Sequence, residues 1–398
     1  MFTNIIFSEQ FKLNLNFGRS QNRPPYFFMN QRLLSLDTFR GITVAAMILV
    51  NNPGDWGHVY APLLHAHWNG CTPTDLIFPF FLFIVGVSIA FAIGDSKSEQ
   101  PVAKTIAKIT YRGFVLIGLG LFLSLYPKFD LANFRIPGVL QRIGLVYIIC
   151  SIIFLKTNTK AQVYLTFSLL VVYYLLLHWV PVPGIGYANL QPETNLGAWL
   201  DRTVLGNHLY KATKVWDPEG LLGTIPAVAT GLFGVLTGQL LRSQYTQSEK
   251  VAWLFLAGST LVMSGLIANE FFPINKSLWS SSYVLYAAGW AATGLAACYW
   301  LIDVQGYRRF TRPFVVFGVN AITVFFMSGV IPRTLGLIKI ANADGTTVNL
   351  QLWLYKNAIA PLFGQNLYLA SLAGALTFLA IWLFILGLMY DKKIIIKV

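Results

Sequence analysis

The chain has 398 residues, 55% of them hydrophobic and only 11% charged, with a mean hydropathy of +0.58. A soluble domain carries about a quarter charged residues, so the composition excludes one and predicts an all-α polytopic membrane protein. The net charge of +13 does not point to nucleic acid, because the basic residues lie in short loops between apolar runs and form no single block. Cys71, Cys150 and Cys298 are scattered, which speaks against both a disulfide framework and a metal site.

Residues 1–31 read as an N-terminal tail, disordered or surface-lying, with no span and no signal-peptide core. Met29 opens text that reads like a natural start. Residues 32–398 form a single transmembrane domain, in which ten spans approach the twenty apolar residues that about 30 Å of hydrocarbon requires. They cover 36–52, 73–94, 107–126, 138–155, 161–180, 221–241, 251–271, 279–302, 313–335 and 368–390.

The loops alternate in charge. One parity holds Lys12, Arg19, Arg23 and Arg32, then Lys97, Lys104 and Lys108, Lys156 and Lys160, Arg242 and Lys250, Arg308, Arg309 and Arg312, and finally Lys392, Lys393 and Lys397. That parity is cytoplasmic, and an even number of spans places both termini there. Residues 53–72 contain no Lys or Arg and face outside.

The second span is preceded by the densest chemistry in the chain. HAHWNGCTPTDLIFPFFLFIVG, residues 65–86, sets His65, His67, Trp68, Asn69 and Asp75 within eleven positions. Singly they read as solvated histidines, an interfacial indole and a capping aspartate. Together, ionisable groups at a membrane helix end read as a site, because lipid penalises each uncompensated polar group. Further along, KVWDPEG brings Trp216, Asp217 and Glu219 together. An indole with two carboxylates suits a sugar bearing an ammonium group. The same text is a good helix start, with Pro218 near the first helical position and Glu219 favoured by the dipole, and the two readings are compatible. NKSLWSSSY, residues 275–283, opens the eighth span with Trp279 as a belt residue and Lys276 at the outer surface.

Inside the spans, Asp37 and Arg40 lie three apart and predict a local ion pair, with a phosphate at the inner mouth as the other use of Arg40. Asn51, Gln141, Arg142 and Asn320 are the remaining unusual polar residues, and Arg142 requires an internal partner. Gly113, Gly118, Gly120, Gly231, Gly234 and Gly238 read as packing faces. There is no Walker loop, dinucleotide fingerprint or zinc spacing.

LLSLDTFRGITVAAMILVNN followed by the His65–Gly86 text, then GVLQRIGLVY, WDPEGLLGTI, NKSLWSSSYV and RPFVVFGVNAI, resembles the heparan-alpha-glucosaminide N-acetyltransferase family of transmembrane acyltransferases over nearly all of residues 32–398. The resemblance implies acetyl transfer from cytosolic acetyl-CoA to the amino group of a glucosamine-type sugar across the membrane. The family's active histidine falls on His65, its essential asparagine on Asn51 and its aspartate on Asp75. Animal members carry a further N-terminal lumenal domain and span, which this sequence lacks, so the expectation is a bacterial-type member in an inner membrane.

The chemistry asks for a base or acyl carrier, an oxyanion donor and a group that fixes the imidazole. His65, Asn51 and Asp75 can supply these. Trp68, Asn69, Trp216, Asp217, Glu219 and Asn320 are the expected sugar-binding set. Coenzyme A keeps its phosphates at the inner mouth near Arg40 and Arg112 while its slender arm climbs between the helices. The expected partners are acetyl-CoA, the amino sugar, the bilayer and, in a homodimer, a second copy of the chain. No metal is expected. The competing expectation is an amino-sugar transporter, which would show two related halves with broken helices in matching places; no such repeat is visible.

Overall fold

The structure is a computed structural model describing residues 33–94, 102–341 and 347–396. The expectations for the tail 1–31, Met29, Lys12, Arg19, Arg23, Arg32, Lys97 and Lys397 lie outside the described residues. The protein is an all-α polytopic membrane protein. Its helices are α1 (Leu34–Asn51), α2 (Pro73–Ile93), α3 (Val102–Leu125), α4 (Val139–Lys156), α5 (Thr159–Trp179), α6 (Leu196–Leu205), α7 (Thr224–Arg242), α8 (Gln247–Ala268), α9 (Ser281–Tyr299), α10 (Arg312–Val319), α11 (Ala321–Leu337), α12 (Leu350–Leu354) and α13 (Leu367–Asp391). Among the described residues nine helices are long and apolar enough to cross a membrane, and the bent pair α10–α11 makes a tenth.

Local sequence sets where these helices begin. Thr72 and Asp75 form a capping box with Pro73 at the first position of α2, and Thr246 with Glu249 does the same for α8. Asn158, Asn195 and Ser280 accept the capping bond at α5, α6 and α9.

α1, α2, α4, α7 and α9 make the centre, and α3, α5, α8 and α13 present most of their surface outward. Close approach of backbones fixes this arrangement. A Cβ on Gly86 would lie 2.0 Å from the Gly231 carbonyl oxygen, and one on Gly234 2.0 Å from that of Phe83, so α2 and α7 touch main chain to main chain. Gly113, Gly120 and Gly238 also meet neighbouring side chains or backbone, whereas Gly118 faces open space. One core cluster joins Phe83, Val87, Val146, Leu232 and Val284; a second joins Val44, Ile48, Phe317, Val324 and Trp382.

The ninth predicted span, 313–335, is not continuous. It breaks at Asn320 with a turn of 78°. α10 lies in the opposite sense against the first half of α1, where a Cβ on Gly41 would fall 1.7 Å from the Phe314 oxygen and one on Gly318 2.2 Å from that of Asp37. α11 alone, at 17 residues and 1.5 Å per residue, is about 26 Å long.

Four loops gather at one end of the bundle. Residues 53–72, the α3–α4 loop, the stretch from α5 to α7 and the α8–α9 loop meet through Gly70 and Ile274, Trp68 and Trp216, and Arg135 and Asp217. Beneath them Tyr173, Leu177, Phe272 and Leu278 form a third apolar cluster.

Candidate functional site

The 65–75 loop is held from two directions. On its own side, Asp75 turns one oxygen back to the cap: Oδ2 accepts from Thr72 N, Thr72 Oγ1 and Ala66 N, each at 3.0 Å. Across from it, Gly70 N donates to the Ile274 carbonyl at 2.7 Å and Asn275 Nδ2 donates to Asn69 Oδ1 at 3.1 Å. Tyr283 Oη donates to the Asp75 carbonyl at 2.6 Å. The loop therefore rests on a polar seam with the α8–α9 loop.

His65 stands on this frame. Its Nδ1 is 2.7 Å from Asp75 Oδ1. A carboxylate only accepts, so the network assigns the proton to Nδ1 and leaves Nε2 as a bare base. The carboxylate is 1% exposed and the imidazole 52%, so the pair offers a fixed, accessible nitrogen backed by a sheltered anion.

Lys276 is the third member. Its Nζ lies 3.1 Å from Nδ1 and 3.4 Å from Nε2 of His65, and 3.6 Å from Asp75 Oδ1. Burial pulls its pKa below that of an ordinary lysine, while the charges of Glu219 and Asp75 work against that pull. It is the nearest cation to the dyad, and not an outer-surface charge.

A narrow cleft in the same loop cluster is lined by Trp68, Trp216, Asn195, Asp201 and Ser277 among others, and by neither His65 nor Asp75. Trp68 and Trp216 meet edge to face with centroids 5.1 Å apart, and Trp68 Nε1 donates to the Leu190 carbonyl at 3.0 Å. Such a rigid pair of aromatic faces suits a sugar ring. Asp201 is pushed up to about 6 by burial and by the charge of Asp217, so it keeps its proton in conditions where ordinary carboxyls lose theirs.

Asp217 and Glu219 are also here, but their charge is engaged. Arg135 Nε donates to Asp217 Oδ2 at 2.8 Å, and Nη2 reaches both carboxylates. Burial pushes the Glu219 carboxyl up, and Arg135, Arg142 and Lys276 outweigh it, holding the group below its usual range. Arg142 finds its internal partners in the carbonyls of Gly220 at 2.8 Å and Pro218 at 3.2 Å, with Trp279 5.0 Å away. Trp279 is fully buried, donates to Thr230 Oγ1 at 3.1 Å and has a left-handed backbone, φ 57°. It anchors the protein interior and is no belt residue.

The remaining residues of the expected set lie apart from this cluster. Asn51 is the exposed last residue of α1, with no hydrogen bond to His65 or Asp75. His67 is exposed and has no bonded partner among the described residues. Asn320 is buried at the α10–α11 corner, where its Nδ2 donates to the Ile394 carbonyl at 3.2 Å and its Oδ1 accepts from Ile396 N at 3.0 Å. That corner packs near Asp37, at the far end of α1 from the histidine loop. Arg40 bonds Asp37 Oδ1 at 2.9 Å, as its spacing predicts, and also Ser88 Oγ on α2 at 2.9 Å. Arg112 is half-buried on α3. Sequence reading missed Lys276, Arg135 and Asp201 as site residues. Each meets its partner only through the fold, although NKSLW beside an outer helix start was the available signal for Lys276.

Comparison with known proteins gives a consistent result. The family model described as heparan-alpha-glucosaminide N-acetyltransferase, catalytic, matches residues 32–266. The chain is 34% identical to the heparan-alpha-glucosaminide N-acetyltransferase of Mus musculus, with 74% of this chain and 53% of that protein aligned. For the protein of that name from Homo sapiens the identity is 33%, over 74% of this chain and 52% of the relative. The chain thus spans about half the length of the curated relatives it matches.

Proposed function

The chain belongs to the heparan-alpha-glucosaminide N-acetyltransferase family, and from that premise we propose that it transfers an acetyl group from acetyl-CoA to the amino group of a glucosamine-type sugar. The observation that carries this reading is His65: an exposed imidazole whose Nδ1 is held 2.7 Å from a sheltered carboxylate. Fixing Nδ1–H on Asp75 presents Nε2 as a base toward the incoming amine, or as the nitrogen that first accepts the acetyl group. The cleft with Trp68 and Trp216, in the same loop cluster, receives the sugar ring.

Charge parity supports placing the cleft on the outer side and Arg40 on the cytoplasmic side. Acetyl-CoA then enters from the cytoplasm with its phosphates low, near Arg40 and Arg112, because its nucleotide end cannot cross hydrocarbon cheaply. Asn51 serves as an oxyanion donor on closure, and Asn69 orients the sugar. The test is vectorial: purified protein in sealed vesicles, acetyl-CoA on one side and glucosamine on the other, with product detected by mass. N-acetylglucosamine appearing only on the sugar side supports the reading. Transport of unmodified glucosamine with no acetylation refutes it.

A further inference from the structure

The cations at the loop end of the protein are not equivalent. Arg135 is committed to Asp217 and Glu219, and Arg142 to two backbone carbonyls. Lys276 has no such commitment. Asp75, its nearest carboxylate, is already satisfied: Oδ2 has three donors and Oδ1 has the imidazole, which leaves the lysine at a looser 3.6 Å. An ammonium whose side chain is only 17% exposed gives up most of its hydration, and a site that spends this on a cation next to a histidine implies a use for the charge.

Position indicates the use. Nζ is nearly equidistant from the two ring nitrogens, at 3.1 and 3.4 Å, so it sits beside the ring and not at the end of one lone pair. Nε2 keeps its outward direction for a reacting group. A carbonyl carbon that bonds to Nε2, which is 3.4 Å from Nζ, can turn its oxygen toward Nζ.

We propose that Lys276 is a further catalytic residue, whose ammonium stabilises the oxyanion formed when an acetyl thioester is attacked at His65. The proposal rests on the acetyl-transfer reading above. The attacking nitrogen, whether the sugar amine or Nε2, forms the new C–N bond as the carbonyl π pair moves onto oxygen. When C=O re-forms, the C–S bond breaks and coenzyme A departs as thiolate. In direct attack the proton released by the amine passes to Nε2 and from there to the thiolate; where Nε2 attacks first, the amine then displaces it from the acetyl group, the C–Nε2 bond breaking as the amide forms and the freed Nε2 taking the amine's proton. The oxyanion is the new negative charge that arises on the acetyl group beside Lys276, and a cation placed for it acts on the transition state more than on either ground state.

The experiment compares wild type with K276Q and K276R in the sealed-vesicle assay, measuring kcat and both KM values, with folding checked by size exclusion in detergent. In K276Q kcat falls roughly a hundredfold or more, the size expected for one lost oxyanion donor, and the two KM values change little. In K276R, which keeps the charge but not the compact ammonium, kcat falls at least about tenfold. Wild-type kcat in either folded variant overturns the proposal, and so does a loss confined to KM for acetyl-CoA or for the sugar. If K276Q does not fold, K276R decides alone, because a purely structural counter-ion predicts full kcat there. Absence of acetylation by the wild type is a failure of the parent reading, whereas acetylation that is indifferent to Lys276 is a failure of this one.

Discussion

Arg135 allows the two uses of Asp217 and Glu219 to be separated by measurement. Arg135→Met removes the cation that faces both carboxylates, whose side chains are 0% and 8% exposed. Arg142 cannot replace it, being bound to the carbonyls of the same segment. Removing one partner of a buried pair costs about 3–5 kcal/mol, because the remaining charge is left without solvent or counter-ion. Denaturant unfolding in micelles should therefore show Arg135→Met at least about 3 kcal/mol less stable than wild type. Adding Glu219→Gln should recover part of the loss, since one carboxylate fewer must stay buried, and the double-mutant coupling should fall in the range of about 0.5–3 kcal/mol expected of contacting groups. Were the carboxylates instead held ready for a sugar ammonium, freeing them would leave stability unchanged and lower the KM for glucosamine. That outcome would refute the assignment of Arg135 as their structural partner.

Three further outcomes follow from the geometry. His65→Ala should abolish acetylation in a protein that still folds, while His67→Ala should retain most of it, because His67 has no bonded partner among the described residues; the vesicle assay reads both. Asp201 holds its proton to about pH 6 in the fold but releases it near 3.8 when unfolded, so between those values the unfolded state binds fewer protons. Stability then falls as pH rises from about 4 to about 6, by roughly 3 kcal/mol at 1.36 kcal/mol per unit. Asp201→Asn should flatten that slope in unfolding curves taken across the interval. Arg40→Ala should raise the KM for acetyl-CoA several-fold and leave that for the sugar unchanged, since a lost phosphate contact weakens donor binding first. An unaltered donor KM would remove Arg40 from the donor site.

Sequence reading recovers what is local. Runs of apolar residues define the crossings because lipid imposes length, and Asp75 three residues after Thr72 announces a cap. The dyad of His65 and Asp75 is within reach because both belong to one loop and one helix start. Lys276 is not, since its partner lies 211 residues away and nothing in NKSLW states which loop it will face. Arg135 likewise meets Asp217 across 82 residues, so the carboxylates look free in sequence and are occupied in the fold. The break at Asn320 is hidden because one asparagine in an apolar run barely alters a window average. It falls beside the close seat of Gly318 on α1, a tertiary fact. Trp279 misleads for the opposite reason: an indole at a helix boundary matches the belt pattern, and only packing reveals it as interior.

The Asn320 clasp bears on biogenesis. Its amide bonds residues 74 and 76 positions further along the chain, beyond the end of α13. Because a membrane protein is delivered from its amino end, α10 and α11 enter the bilayer while this partner segment is still unmade. Through that interval the amide lacks both of its eventual backbone partners, and a polar group left so in apolar surroundings carries a penalty of about 1–3 kcal/mol. The clasp on this corner is therefore completed only once α13 has inserted and its trailing residues have folded back, although α10 and α11 are made earlier.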